Sequence, residues 1–372
     1  MLNVLSLVSY QFLPPKMGGQ KCIALGNKYL SKHLNLTCIT TENNKINEDV
    51  DYSVFNILSN SKLRYINVFY FFKIRNFIKK NSITHLIIEH PYYGWLAIFL
   101  KWFCGVKLIV RSHNIEANRF KTVGKWWSKL LWQYERFVHK SADLSFFITE
   151  EDRTYAVNNF GLDIKKCTVI TYGFELEQMP DAASRQSSKL ATKQKYNISN
   201  DDLVILFNGT LDYNPNLKAL DVILSSINPS LQKSNFKYKI IVCGKNLPNS
   251  YNELKEYQSQ NIIYAGFVDD ISTYYLAADI FINPVIDGGG IKTKIVEALG
   301  YNVSLVTTKS GAIGISKKIT ENKMIVVDDN NLAEFTKAIF TINITKDIPE
   351  SFFEHFYWGN IAEKAVAAIK QI

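Results

Sequence analysis

The chain has 372 residues, 47% of them hydrophobic and 13% aromatic. That exceeds the ~250 to 300 residues at which one core usually stops growing, so two domains are expected and a disordered chain is excluded. The net charge of +9 is unevenly placed: residues 1–175 carry 23 Lys+Arg against 13 Asp+Glu, whereas residues 176–372 carry 20 against 21. Five cysteines, at 22, 38, 104, 167 and 243, form no CxxC and no metal-ligand spacing. They fit buried free thiols in a reducing cytoplasm and exclude a disulfide scaffold or a cysteine-held metal.

The first residues, MLNVLSLVSYQF, have no basic segment ahead of a clean apolar block, so no signal peptide is expected. NVLSLVSY reads as a strand, QFLPPKMGGQ as a Pro/Gly loop, and KCIALGNKYLSKHL as a helix. Asp49-Val50-Asp51 mimics a metal-binding DxD but lies in the polar run TENNKINEDVDY, a solvated loop. THLIIEH, KLIVRSHN, LSFFITEED and CTVITYG read as further buried strands, and Thr149 to Asp152 as a capping box. WLAIFLKWFCGVKLIV is interrupted by Lys101 and Lys107 well short of the ~20 residues a membrane-spanning helix needs. Five of the six tryptophans fall between Trp95 and Trp132, interleaved with Lys and Arg. Trp102, Phe103, Phe120, Trp126, Trp127 and Trp132 among the basic residues from Lys101 to Lys140 suggest peripheral contact with an anionic membrane. The competing expectation is that several of these rings are core, with Leu131, Tyr134 and Val138 inward on KLLWQYERFVH.

Residues 176–202 are polar, rich in Ser, Ala and Lys, and read as a linker region. The pattern then restarts: LVILFNG is a strand, TLDYNPN a loop, LKALDVILSS a helix, with strands at KYKIIVCG, NIIYAGF, DIFINP, VSLVTT and MIVVDD. Alternating short strands and helices in both halves predict an α/β chain of two Rossmann-like parallel-sheet domains, at residues 1–175 and 203–356. Their ligand crevices would lie at the carboxyl ends of the strands, across a shared cleft. The helical stretch 357–372 has an apolar face at Ile361, Ala365, Ala368 and Ile369 and is expected to pack back on the first domain.

The stretch with most chemistry is PVIDGGGIKTKIVEALG, Pro284 to Gly300. Gly288, Gly289 and Gly290 let backbone approach a ligand, and a helix from about Ile291 would offer free N–H groups to an anion. Lys294 and Glu297 share a helix face, with Lys292 nearer its start. A lysine beside a diphosphate and a glutamate one turn on, accepting from ribose hydroxyls, suits a nucleotide. An exposed glycine turn with a surface Lys/Glu pair would look the same.

GGGIKTKIVEALG followed by VSLVTTKSGAIGI resembles the donor-binding segment of glycosyltransferase family 4, which has the GT-B fold. PPKMGGQKCIALGNKYL, RSHNIEANRF, FNGTLDYNPNLKAL, GFVDDISTYYLAADIFINP and FYWGNIAEKAV extend the resemblance, in family order, along nearly the whole chain. It implies that Glu297 holds the donor ribose and that Lys292 and Lys294 lie near the diphosphate. Gly18 and Gly19 would close over that diphosphate, and His113, followed by Asn114, would reach the donor sugar. Gly209, Thr210, Asp287, Gly288, Gly289, Gly290 and Ile291 complete the expected donor-contacting set, with Lys294, Glu297 and His113 as the catalytic group. The implied activity is metal-independent transfer of a hexose, with retained configuration, from a nucleotide sugar to a saccharide or lipid-linked saccharide in surface polysaccharide or glycolipid synthesis. The nucleotide sugar is a co-substrate and no cofactor is expected. The expected location is the cytoplasm or the inner face of the membrane, without a nucleic-acid partner.

Two departures from the family pattern stand out. Gly289 occupies the place of a glutamate that contacts the donor sugar in many members, with Asp287 two residues earlier as a substitute. Thr210 stands where many members carry an arginine that grips the diphosphate. No GxGxxG follows either leading strand, and neither GxxxxGK[ST] nor GxSxG occurs, which argues against dehydrogenase, P-loop and serine-hydrolase chemistry. A nucleotide-sugar epimerase of the same architecture and a non-catalytic sugar-nucleotide-binding module are the competing functions.

Overall fold

The computed structural model describes residues 1–46, 50–122 and 124–372, so Asp49 of the DxD mimic lies outside the described residues. Two compact units are present: Met1–Glu175 with Phe356–Ile372, and Leu176–His355.

The first unit is a seven-stranded, wholly parallel sheet in the order β3-β2-β1-β4-β5-β6-β7. Its strands are β1 (Asn3–Val8), β2 (Asn35–Thr41), β3 (Ser53–Leu58), β4 (His85–Glu89), β5 (Lys107–Ser112), β6 (Leu144–Phe147) and β7 (Cys167–Val169). The helices between them are α1 (Gly18–Ser31), α2 (Phe69–Lys80), α3 (Gly94–Cys104), α4 (Glu116–Thr122), α5 (Ser128–Ser141) and α6 (Glu150–Tyr155). Every residue of β4 and β6 is buried, as expected of strands covered on both faces. The strand order reverses between β1 and β4, which leaves a crevice at their carboxyl ends. Thr149 caps α6, accepting from the Asp152 N–H at 3.1 Å. On α5 the expected inward set holds in part: Val138 is buried and Tyr134 packs half-buried against the core, whereas Leu131 is only half-buried, and Ser128, Glu135 and His139 are the other buried residues. Glu135 accepts two backbone N–H groups and His139 Nδ1 bonds the Ser145 hydroxyl, while His139 Nε2 is buried without a hydrogen-bond partner; polar residues on a buried face escape a hydrophobic pattern.

The second unit begins with α7 (Ala182–Lys195), inside the stretch read as a linker. Asp181 caps it, accepting from the Ser184 N–H at 2.7 Å, and it packs on the helix Ser272–Ala277. Its apolar content is low because its buried contacts are polar: Lys193 donates to the carbonyls of Asn200 and Asp202 at 2.8 and 2.7 Å. A six-stranded parallel sheet follows in the order β10-β9-β8-β11-β12-β13. Its strands are β8 (Leu203–Asn208), β9 (Tyr238–Cys243), β10 (Ile262–Gly266), β11 (Ile280–Asn283), β12 (Ser304–Thr308) and β13 (Met324–Val327). The helices that matter below are α8 (Asn214–Val222), which has Pro215 in its first turn, and the eight-residue helix Thr293–Gly300 that follows β11. Here the strand order reverses between β8 and β11. The last helix, Trp358–Ile369, belongs to the first unit and packs on α1 with Trp358, Ile361, Ala365 and Ile369 buried.

Candidate functional site

In the second unit, β11 leads into the loop 284–292 and the helix Thr293–Gly300 at the switch point of the sheet. Gly288 and Gly290 have φ of +91° and +70°, conformations that side chains other than glycine rarely take. The loop curls so that the carbonyls of Gly288, Gly289 and Gly290 lie 2.8, 3.4 and 2.9 Å from Lys292 Nζ. Lys292 is the N-cap of the helix and offers no side-chain acceptor; the Ile295 N–H donates to the Lys292 carbonyl at 2.9 Å, which leaves the N–H groups of Thr293 and Lys294 to face an anion. Ile295, Val296, Ala298 and Leu299 face the core, which sets Lys294 and Glu297 together at its flank.

Lys294 Nζ donates to the Asn208 carbonyl at 3.0 Å and Asn216 Oδ1 at 3.1 Å, and it lies 4.8 Å from the Phe207 ring centroid. Asn216 also donates to the Thr210 carbonyl at 3.0 Å. A Cβ at Gly209 would stand 2.6 Å from Asn216 Nδ2, so only glycine leaves Asn216 in place. The Tyr275 hydroxyl accepts from Asn208 Nδ2 at 2.8 Å and lies 3.4 Å from Glu297 Oε2. Among the described residues, no carboxylate forms an ion pair with Lys292 or Lys294. Burial pushes Lys294 down to about 7, with Lys292 adding to the shift, and burial alone pushes Lys292 down to about 8. Two ammonium groups thus share a partly dry site without a counter-ion. Asp287 is paired with Lys218 of α8 at 2.8 Å, at the edge of a depression that Pro215, Ile286, Asp328 and Asn331 also line. Half-buried Ile291 completes the loop.

In the first unit a second group of polar side chains gathers at the carboxyl ends of β1, β4 and β5. Parallel register sets Glu89 beside Arg111, and their side chains pair at 3.2 Å in the buried sheet. His113, one residue past β5, places Nε2 2.6 Å from the other Glu89 oxygen. The His113 ring stacks on His90 with centroids 4.3 Å apart. His90 has φ of +66°, a strained backbone for this residue. It bonds Tyr10 Oη at 3.0 Å through Nε2 and Glu116 Oε1 at 3.2 Å through Nδ1. Glu116 also accepts from Tyr92 at 2.7 Å and from Arg119 at 2.9 Å.

Burial opposes the charge of Glu89, but Arg111 and the His113 hydrogen bond outweigh it and hold the carboxyl down to about 2. Burial likewise opposes the charge of Glu116, which His90 and Arg119 hold down to about 2. Burial, reinforced by His90, pushes His113 down to about 4. At neutral pH His113 is therefore uncharged and donates its Nε2–H to Glu89, which leaves Nδ1 as an acceptor. Burial pushes Glu135 up to about 8, although its carboxyl accepts the N–H groups of Glu116 and Ala117 at 3.0 and 3.1 Å.

Gly18 and Gly19 open α1, and Gln20 Oε1 accepts the Lys16 and Met17 N–H groups at 2.8 and 3.1 Å, fixing the loop before them. A Cβ at Gly19 would stand 4.0 Å from Tyr10 Oη, so this turn adjoins the histidine group. Asn114 contributes its carbonyl to the Ser112 hydroxyl at 2.6 Å.

The expected residues thus form two sets, each held within one unit. Gly209, Thr210, Lys292, Lys294 and Glu297 come together around Asn208 and Asn216. His113 comes together with Glu89, His90, Tyr10 and Glu116, none of which the sequence singled out. The signal that could have found them is the ending of two buried strands in charged or histidine residues, IIEH and IVRSH. Among the described residues no group of three or more His, Cys, Asp or Glu is disposed to hold a metal ion.

Two parallel-sheet units, each with polar side chains at the switch point of its sheet, are the architecture of the GT-B fold. A family model described as Glycosyltransferase Family 4 matches residues 29–178, and one described as Glycosyl transferases group 1 matches residues 202–342. The two models jointly span most of the chain, which belongs to this glycosyltransferase family. An uncharacterized 44.6 kDa protein in the cps region of Klebsiella pneumoniae is 29% identical over 150 residues, 39% of this chain and 37% of that protein. The chain therefore aligns with well under two thirds of that relative. The O-antigen biosynthesis glycosyltransferase WbnH of Escherichia coli is 23% identical over 314 residues, 83% of this chain and 82% of that protein. Among solved structures, HepE of Anabaena in complex with UDP superposes with a TM-score of 0.73 at 13% identity, covering 100% of both chains. Sucrose-phosphate synthase of Thermosynechococcus elongatus gives 0.74 at 13% identity, covering 99% of this chain and 98% of that one.

Proposed function

We propose that the protein moves a hexose from a nucleotide-sugar donor to a saccharide or lipid-linked saccharide, with retained configuration and without a metal ion, during synthesis of a surface polysaccharide. The observation that carries this reading is the unmatched Lys292/Lys294 pair at a helix start behind a glycine loop. A diphosphate is the anion such a site suits. It would take charge-assisted bonds from Lys294 and the first-turn N–H groups, while Glu297 accepts from ribose hydroxyls. The relatives favour the same reading: WbnH is described as an O-antigen glycosyltransferase, and HepE has been solved with UDP and with UDP-glucose.

In the proposed reaction the bond from the anomeric carbon to the diphosphate breaks on the face where the acceptor hydroxyl attacks. The departing diphosphate oxygen takes the acceptor proton, so no protein base is required. Lys294, the helix N-terminus and the glycine loop stabilise the charge that grows on the leaving group. Neutral His113, oriented by Glu89, would offer its acceptor nitrogen to a substrate hydroxyl. Holding Glu89 and Glu116 ionised makes them poor proton exchangers at neutral pH, so neither suits the acid/base work of an epimerase. Incubation with radiolabelled nucleotide sugars tests the proposal. Nucleotide release with label in an acceptor is expected; an isomerised sugar, or binding without turnover, would overturn it.

A further inference from the structure

The first unit carries an aromatic face that its own fold leaves uncovered. On α2, Tyr70, Ile74 and Ile78 are buried in the core, while Phe69 and Phe72 point outward at 70% and 58% exposure. On α3, Leu96, Ala97 and Leu100 are buried, while Phe99, Trp102 and Phe103 are exposed. Those three stand at i, i+3 and i+4, so they share one face of the helix. Phe71 links the two helices: its ring lies 5.3 Å from Phe72, 6.4 Å from Phe99 and 5.5 Å from Phe103. Trp102 continues the row, 5.8 Å from Phe99.

The charge along this stretch is mostly basic. From Tyr52 to Ile115 there are nine Lys+Arg and one acidic residue, Glu89, which is buried against Arg111; Lys101 on α3 is paired with Asp143 at 2.8 Å. Lys73, Arg75, Lys79 and Lys80 all lie on α2, and among the described residues none forms an ion pair. Lys79 and Arg75 both act electrostatically on Cys104 at the end of α3, which sets them beside the aromatic row.

We propose that this α2/α3 face docks on the surface of an anionic lipid bilayer, with Phe72, Phe99, Trp102 and Phe103 at the level of the headgroups and the α2 lysines against lipid phosphates. Aromatic rings and lysines without acidic neighbours are what such an interface takes up. Charge complementarity selects the lipid over a second copy of the chain, because a two-fold interface would set the basic α2 against itself. The contact is peripheral, since among the described residues no helix is long and apolar enough to cross a membrane. The centre of this surface differs from the one expected from sequence between Lys101 and Lys140. There, Trp127 packs on Phe120 at 4.6 Å and Trp132 donates to Tyr155 at 3.0 Å, so both are partly withdrawn from solvent. The proposal does not depend on sugar transfer, because it is read as binding.

The test is co-sedimentation of the full chain with vesicles of phosphatidylcholine alone or mixed with phosphatidylglycerol, at low and high salt. Binding is expected on the mixed vesicles at low salt. Changing Lys73, Lys79 and Lys80 together to Glu should weaken it by at least about tenfold, since each basic residue near the surface adds to the attraction. Phe72→Ser with Trp102→Ser should weaken it at both salt concentrations, and the exposure of all five positions leaves the melting temperature as a control on folding. Equal binding to neutral vesicles, no binding to mixed ones, or parent-like binding by both variants would overturn the proposal. So would a dimer in sedimentation velocity that Trp102→Ser abolishes, which would make the face a self-interface.

Discussion

The two polar centres of the molecule differ in how their charges are met. In the first centre the two ionised carboxylates have charged partners: Glu89 has Arg111 and the His113 N–H, and Glu116 has Arg119, Tyr92 and His90. In the second unit Lys292 and Lys294 have only carbonyl and amide oxygens, and their protons are correspondingly loosened. Matched charges are paid for within the fold and lend it rigidity. Unmatched charges are a standing cost to the free protein that an anionic ligand removes. In the proposed function the first centre is scaffolding that orients a histidine, and the second is a receptor for a negative group.

The sharpest way to break this comparison is to remove one charge from each centre. Glu89→Ala should destabilise the first unit by about 3 to 5 kcal/mol, because Arg111 is left buried without its counter-charge. Urea unfolding measures this, and a loss below about 1 kcal/mol would mean that the ion pair is solvated. Lys294→Met should leave stability unchanged or slightly raised while donor affinity falls by about 1.5 to 3 kcal/mol, the worth of a charge-assisted bond. Glu297→Ala should lower donor affinity by a similar amount, and calorimetry with the cognate donor reads both. His113→Ala tests the boundary between the classes: turnover should fall strongly, with a loss of about 1 to 3 kcal/mol in stability because Glu89 loses one of its two partners. Unchanged turnover would make His113 purely structural.

Smaller effects should follow pH. Lys294 is held at about 7 against an ordinary value of 10.5, so the folded state binds fewer protons than the unfolded state between those values. The contribution of this group to stability is present above 10.5 and is lost as pH falls through the folded value near 7. A bound diphosphate reverses the shift, so donor affinity should decline as pH rises above about 7 in the parent, and in Lys294→Met only above about 8, where Lys292 loses its proton. The smallest expected effect is that of EDTA, which should leave sugar transfer unchanged; a strict Mg²⁺ or Mn²⁺ requirement would contradict charge neutralisation by Lys294 and the helix start.

Much of this was legible in the sequence, and the gaps have physical causes. The buried strands were readable because coverage on both faces makes them continuous apolar runs. β2 and β3 were not: NLTCITT is rich in threonine, and β3 is an edge strand with three exposed residues, so neither gives a clean apolar run. α7 was missed because its partners are carbonyls rather than a hydrophobic core. The Lys294/Glu297 pair was visible from three-residue spacing, since spacing fixes a helix face. The Glu89, His90, Glu116 and Tyr10 group was not, because it is assembled from strand ends far apart in the chain and joined only by sheet register.

The central claim is that the lysine pair awaits a diphosphate, and proton uptake on binding tests it most directly. The nucleoside diphosphate that raises the melting temperature most would be titrated calorimetrically at pH 8, in buffers of different ionisation enthalpy. The account predicts a net uptake of about one proton or more per site, reduced but not abolished in Lys294→Met because Lys292, held at about 8, still regains its charge, since the ligand restores what burial suppresses. Binding without proton uptake, or equal uptake in the variant, would contradict it.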